Sequence, residues 1–325
     1  MRARRSLGEG ADPVQIWRSL DEVPRDLGRT VVTVGNFDGV HLGHQHVVSR
    51  AREVAAGLGV PVVAVTFDPH PMAVLRPEHA PQTLTDLSTR AALLADAGVD
   101  ALLVVPFDRD VAAWPPERFV TEILVGGLHA RAVVVGANFR FGVKASGDVA
   151  TLAALGRTHD FTAEGIALDG GPQVWSSTYV RNCLGAGDVE GAAEALGHPF
   201  TVRGEVVKGD QRGRELGYPT ANVPTSGMLA APADGVYAGW LRRLDEPDVL
   251  LPAAISVGTN PTFEGERERR VESYVLDRDD LELYGVGVEV SFVARIRGML
   301  RFDSVEELVA TMAQDVARTR EVLGA

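Results

Sequence analysis

The first half of the chain alternates two apolar patterns. Short, nearly continuous apolar runs at 30–34, 60–67, 101–105 and 132–135 predict strands buried on both faces. Between them lie stretches with helical spacing, at about 43–58 and 86–98. In the second, Leu87, Ala91, Leu94 and Ala95 share a face and Gly98 stands as a C-cap. Such alternation predicts a parallel sheet covered by helices on both sides. Ligands of these sheets bind at the carboxyl ends of the strands, where the Gly35–His44 turn falls.

After Thr201 the pattern changes. Closely spaced β-rich runs at 202–207, 236–241, 254–257, 270–276 and 288–296, with turn residues between them, predict an antiparallel barrel or sandwich. A short helix is expected over 188–196, ended by Gly197, and a final helix opens on Ser304 and Glu307, a capping box. The expected organisation is a leader at 1–13, disordered by composition, a first domain at 14–186, a linker helix at 187–200 and a second domain at 201–325.

Composition narrows the partners. The 325 residues suggest about two domains. Lys and Arg number 32 against 44 Asp and Glu, a net charge of −12. That balance argues against a nucleic-acid partner, because phosphate neutralisation needs surplus Lys and Arg; a local basic patch stays open. Cys183 is alone, so neither an intrachain disulfide nor a cysteine-based zinc site can form. With no long apolar run and no signal sequence, a cytoplasmic protein without a membrane partner is expected.

The first chemical cluster is Gly-Asn-Phe-Asp-Gly-Val-His-Leu-Gly-His at 35–44. Gly39 and Gly43 let a phosphate or base approach the backbone, and a helix N-terminus supplies free N–H groups and a positive dipole. His41 and His44 can donate hydrogen bonds to phosphate oxygens as charge develops. The same residues also fit a plain turn with two surface histidines, or a weaker zinc site completed by His46. Three further segments follow strand ends or open helices: Phe-Asp-Pro-His-Pro at 67–71, Val-Gly-Ala-Asn-Phe-Arg-Phe-Gly at 135–142 and Ser-Ser-Thr-Tyr-Val-Arg at 176–181. Each has a bland alternative: a proline turn, hydrophobic closure of the sheet, or simple N-capping.

The second cluster is the Gly-rich basic stretch 204–217, followed by Pro219-Thr220-Ala221-Asn222. Backbone N–H groups of such a loop can wrap phosphates, although it is not a Walker A loop. Thr and Asn oxygens are hard ligands suited to Mg²⁺, or else members of an ordinary β-turn. In Val271–Asp277 the alternation puts Val271, Ser273 and Val275 on one face and Glu272 with Tyr274 and Leu276 on the other. Partial burial there would suit Glu272 to take a proton from a hydroxyl; an exposed strand glutamate is the alternative.

Taken in order, these segments resemble the prokaryotic bifunctional riboflavin kinase/FMN adenylyltransferase (FAD synthetase) family over about residues 14–325. Gly-Val-Tyr at 235–237, Gly-Thr-Asn-Pro-Thr at 258–262, Leu-Tyr-Gly at 283–285 and Arg-Phe-Asp-Ser at 301–304 belong to the same match. The resemblance implies a Rossmann-like α/β nucleotidyltransferase domain, then a six-stranded antiparallel β-barrel flavokinase domain with a C-terminal helix. It implies phosphorylation of riboflavin to FMN in the second domain and adenylylation of FMN to FAD, with release of pyrophosphate, in the first. ATP is then co-substrate, with Mg²⁺ as cofactor. His41 and His44 would contact ATP phosphates, with Gly39 and Asn138 in the nucleotide site. Ser177, Thr178 and Arg181 would bind the triphosphate. Gly209 and Gly213 would lie in the kinase ATP loop. Thr220 and Asn222 would handle Mg²⁺ and ATP, and Glu272 would be the kinase base. Asp38 and Asp68 could serve the site or the fold alone. A protein with only one working module, and a flavin or nucleotide binder without turnover, are the competing classes.

Overall fold

The computed structural model describes residues 14–167, 175–209, 213, 216–225, 227–259 and 269–325. The leader, residues 260–262 of the Gly-Thr-Asn-Pro-Thr segment and most of the loop at 210–215 lie outside the described residues. Packing divides the chain into two compact units between Trp175 and Ser176.

The first unit holds six strands: β1 (Gln15–Trp17), β2 (Thr30–Val34), β3 (Val62–Asp68), β4 (Ala101–Pro106), β5 (Ala130–Gly136) and β6 (Thr162–Ile166). They pair in the order β1-β4-β3-β2-β5-β6, and every pairing is parallel. Successive side chains of a strand point to opposite faces, so an unbroken apolar run supplies both. Val32, Val34, Val63, Val65, Leu103 and Val133 pack into one core with Phe119, Ile123, Leu124 and Leu152. Val31, Ala64, Leu102, Val104 and Val134 pack into the other with Val47, Val48, Ala51 and Leu94. The second core is covered by α1 (Leu42–Leu58) and α3 (Leu87–Ala97); α2 (Pro71–Leu75) follows β3. On the opposite face lie α5 (Pro116–Phe119), the π-type segment Val120–Gly127 and α6 (Val149–His159), with α4 (Arg109–Ala112) after β4. Asp86 caps α3 by accepting from the Thr89 N–H at 2.6 Å, and Gly98 ends it at φ +93°.

This strand order has one switch point. From β2 the chain builds outward through β3 and β4, then returns to place β5 on the other side of β2. The loops leaving β2 and β5 therefore diverge and leave a crevice between their carboxyl ends, where open α/β sheets bind ligands. They are the loops that carry His41 and Asn138.

The second unit opens with α7 (Ser177–Ala186) and α8 (Val189–Leu196). Six strands follow: β7 (Phe200–Glu205), β8 (Thr220–Pro224), β9 (Gly235–Arg243), β10 (Leu250–Thr259), β11 (Arg269–Val275) and β12 (Gly287–Gly298). Their order is β7-β12-β9-β10-β11-β8, antiparallel throughout. The sheet curls until its ends meet: the Val207 N–H, just past β7, donates to the Asn222 carbonyl at 2.9 Å. Two bulges in β12 help the strand bend. The interior is filled by Val202, Val223, Tyr237, Leu241, Ile255, Val271, Val290 and Phe292. α9 (Val305–Leu323) closes the unit, tied to β12 by Arg297 and the buried Asp315 at 2.7 Å. Ser304 accepts from the Glu307 N–H at 3.1 Å, but the Glu307 carboxylate answers to the Asp303 N–H rather than to that of Ser304.

Three strands escape the hydrophobic pattern. β1 and β6 are short and lie at the sheet edges, with few fully buried positions to mark them. β8 is the Pro-Thr-Ala-Asn segment itself, where turn-like composition is overridden by pairing with β11.

Candidate active sites

In the first unit the turn between β2 and α1 is built from unusual backbone. Phe37, Gly39 and Val40 have φ of +49°, +80° and +41°. Only glycine adopts this region freely, and a β-branched residue there is strained by about 1–3 kcal/mol. The surroundings hold it. Asp38, 1% exposed, accepts the N–H groups of Leu84 and Thr85 at 2.8 and 3.2 Å, and the Gly39 N–H donates to the Thr85 hydroxyl at 3.2 Å. Asp38 thus braces the turn.

The turn delivers His41 as the N-cap of α1, with Nδ1 accepting the His44 N–H at 3.4 Å. With Nδ1 an acceptor, the ring proton of neutral His41 sits on Nε2, which becomes a donor. The two imidazoles stack at 3.7 Å and 23°, and Phe37 meets His44 edge-on at 5.3 Å. His44 is half-buried, but its Nδ1 is sealed from solvent and has no hydrogen-bond partner among the described residues. Burial, then the neighbouring His41 and Arg90, hold its pKa well below the usual histidine value, so the ring is neutral at neutral pH. His46 points outward on α1 and joins neither ring. Among the described residues, no group of three His, Cys, Asp or Glu could hold a metal ion.

At the end of β3, the Thr66 hydroxyl donates to the Asn36 carbonyl at 3.1 Å. His70 Nδ1 accepts the Met72 N–H at 3.2 Å, while Nε2 lies 3.2 Å from the Asn36 carboxamide. Neutral His70 then carries its proton on Nε2, which requires the carboxamide to turn its oxygen to the ring. At the end of β5, Asn138 is exposed in a turn closed by the Phe139 N–H on the Gly136 carbonyl. Phe139 and Phe141 stack at 5.4 Å, and Phe141 is buried in the core, so this ring closes the sheet. Ser177, Thr178 and Arg181 lie on α7, in the second unit; Ser176, not Ser177, caps that helix by accepting the Tyr179 N–H at 3.1 Å.

In the second unit the register of β8 against β11 decides the geometry. Asn222 stands opposite Glu272 and Thr220 opposite Tyr274. Facing residues of an antiparallel pair emerge on the same side with Cβ atoms about 4.5–5.5 Å apart. Glu272, half-buried, is therefore beside Asn222, while Val271, Ser273 and Val275 fill the interior. Leu276 lies past the end of β11, so Tyr274 is the face-mate that persists. The Asn222 Nδ2 donates to the Thr220 carbonyl and hydroxyl at 3.2 and 3.3 Å. Its Oδ1 is buried and unpartnered among the described residues. A methyl on Gly209 would come within 2.6 Å of that oxygen, so any larger residue would have to displace the Asn222 carboxamide. Gly209, Pro219, Thr220, Asn222, Arg278 and Tyr284 line one cleft. Gly213 accepts the Leu216 and Tyr218 N–H groups, folding the loop back toward Pro219.

A family model described as FAD synthetase matches residues 23–176, and one described as riboflavin kinase matches residues 196–323. The bifunctional riboflavin kinase/FMN adenylyltransferase of Escherichia coli (strain K12) is 37% identical over 94% of this chain and 96% of its own length. The chain belongs to the bifunctional riboflavin kinase/FMN adenylyltransferase family. The family member of that name from Bacillus subtilis (strain 168) is 30% identical over 90% of this chain and 92% of its own. A crystal structure of a Streptococcus pneumoniae protein, there called a macrolide-efflux protein, shares the fold at a TM-score of 0.84. It is 30% identical to this chain and covers 95% of it and 99% of itself. Among the described residues, no helix is long and apolar enough to cross a membrane.

One buried charge of the first unit lies outside all of these segments. Arg90 lies in the apolar stripe of α3, one position before Ala91, and is 6% exposed. A charged residue interrupting a buried face was the available clue.

Proposed function

We propose that the two activities of the family are divided between residues 14–186, which adenylylate FMN, and residues 201–325, which phosphorylate riboflavin, with 187–200 as the connecting helix. The observation that carries the first assignment is the stacked pair of buried His41 and half-buried His44 at the switch point of a parallel sheet. An oxygen of the FMN phosphate attacks the α-phosphorus of ATP; the bond to the β-phosphate breaks and pyrophosphate leaves. His41 donates from Nε2 to a phosphate oxygen, and neutral His44 lies against it as a second polar group. Gly39 allows close approach of the phosphates, and Asn138 faces the nucleotide. Ser177, Thr178 and Arg181 are assigned to ATP phosphate oxygens on the strength of their motif alone.

In the kinase, Glu272 takes the proton of the ribityl 5′-hydroxyl, whose oxygen attacks the γ-phosphorus and releases ADP. Gly209 and Gly213 shape the loop over the phosphates. The unpartnered Asn222 Oδ1 beside the Thr220 hydroxyl fits Mg²⁺, which favours hard oxygens and takes its other ligands from phosphates and water. Bound there with ATP, Mg²⁺ would neutralise charge on the transferring phosphate. The substrates are riboflavin, FMN and ATP, and the expected compartment is the cytoplasm.

Selective loss tests the division. Glu272→Ala abolishes FMN formation from riboflavin while FMN added directly is still converted to FAD. His41→Ala with His44→Ala blocks FAD formation alone. Equal impairment of both reactions by Glu272→Ala, or FAD formation unchanged in the histidine pair, would refute it; chromatography of flavins after incubation with MgATP reads both.

A further inference from the structure

The buried guanidinium of Arg90 has no carboxylate within salt-bridge distance among the described residues. Its Nη1 donates to the Thr66 hydroxyl and its Nη2 to the Thr85 carbonyl, each at 3.3 Å, and its Nε is enclosed without a partner among the described residues. Both contacts lead to the turn that carries His41. Thr66 continues to the Asn36 carbonyl, and the Thr85 hydroxyl receives the Gly39 N–H. Asp38, Asp68 and Asp86 act on Arg90 at longer range, while burial opposes its charge. A buried cation without a direct counter-ion is costly, so such a group is retained where it does more than pack.

We infer that Arg90 is a positioning residue for adenylyl transfer: its fork fixes the 35–41 turn through Thr66 and Thr85, and its charge stands behind the histidine pair awaiting an anionic ligand. The inference rests on the assignment of His41 and His44 to the phosphates. The charge also reaches His44, whose pKa is lowered first by burial and then by His41 and Arg90. Arg90 therefore helps keep that imidazole neutral, a hydrogen-bonding group in place of a second cation.

The test compares Arg90→Lys, which keeps the charge and loses the fork, with Arg90→Met, which loses both, in the full chain. Misplacement of reacting groups costs about 100-fold in rate. Arg90→Met is expected to lower kcat for FMN-to-FAD conversion by about that factor with a smaller change in KM, and Arg90→Lys to recover part of it. Riboflavin kinase activity of the same molecules stays at the parent level, and thermal unfolding followed by the fluorescence of Trp17, Trp114 and Trp175 reports folding of the unit that holds Arg90. The His44 ring, followed by NMR, titrates at higher pH in Arg90→Met than in the parent. Should Arg90→Met not fold, Thr66→Val cuts the link to Asn36 while leaving the charge in place, and is expected to lower kcat without moving the His44 titration. Parent-like kcat in Arg90→Met, or in Thr66→Val if that variant replaces it, would overturn the inference, as would an unmoved His44 titration in Arg90→Met. His44→Ala separates the two readings. If it leaves FAD formation intact, the histidine assignment fails; if it blocks FAD formation while the Arg90 variants do not, only Arg90 is misassigned.

Discussion

His44 shows how one residue's surroundings become a property of the protein. In the unfolded chain its imidazole titrates near the ordinary 6.5, whereas in the fold burial, His41 and Arg90 hold it well below that value. Below about 6.5 the unfolded chain binds a proton that the folded one refuses, so the linked stability is full above that pH and is lost as pH falls below it. His44→Asn, which cannot take up the proton, is expected to flatten the loss of stability from neutral to mildly acidic pH. Thermal unfolding followed by tryptophan fluorescence reads it, since Trp17, Trp114 and Trp175 belong to the first unit and Trp240 alone to the second. A parent-like acid slope would show that His44 is protonated normally. Asn222 makes the complementary point: its neighbours in sequence suggest a turn, but its buried oxygen lies against Gly209 from a separate segment.

At the scale of elements, strands are placed by hydrophobic pattern and curled by local crowding. Gly239 in β9 lies between β10 and β12, and a methyl there would overlap the Ser291 carbonyl oxygen and stand 2.5 Å from Ile255 Cδ1. A backbone oxygen cannot swing aside, so Gly239→Ala is expected to cost about 1–3 kcal/mol or more. Riboflavin kinase activity should be lost at a lower temperature than in the parent, while conversion of added FMN to FAD persists. Unchanged kinase heat resistance would contradict the close approach. The central strands β2 to β5 and the cap residues of α3 and α9 were legible because burial on both faces and capping leave local marks. β1 and β6 were not, because edge strands bury too little to impose a pattern. β8 was not, because its partner β11 lies about 50 residues away and supplies what its own composition lacks.

For the whole molecule, the net charge of −12 has to be reconciled with ATP and flavin phosphates as ligands. On the proposed assignment recognition is local, through glycine loops, a helix N-terminus, two histidines and hard oxygens. Both reactions consume ATP, and the product of one is the substrate of the other. A time course from riboflavin should show FMN rising before FAD. Chelation of Mg²⁺ with EDTA at the start should stop FMN from forming; FMN appearing at the parent rate under EDTA would refute a role for the ion at Thr220 and Asn222. The amino-acid sequence by itself determined a parallel sheet followed by an antiparallel one, and marked the segments proposed to carry chemistry, because periodicity and glycine placement are local consequences of burial and backbone freedom. Tertiary structure alone decided that β2 and β5 flank the crevice, that Asn222 faces Glu272, and that Arg90 lies under the histidine turn. Those relations join residues far apart in the chain, and strand order, register and the dielectric of a buried site come into being only when the sheets close.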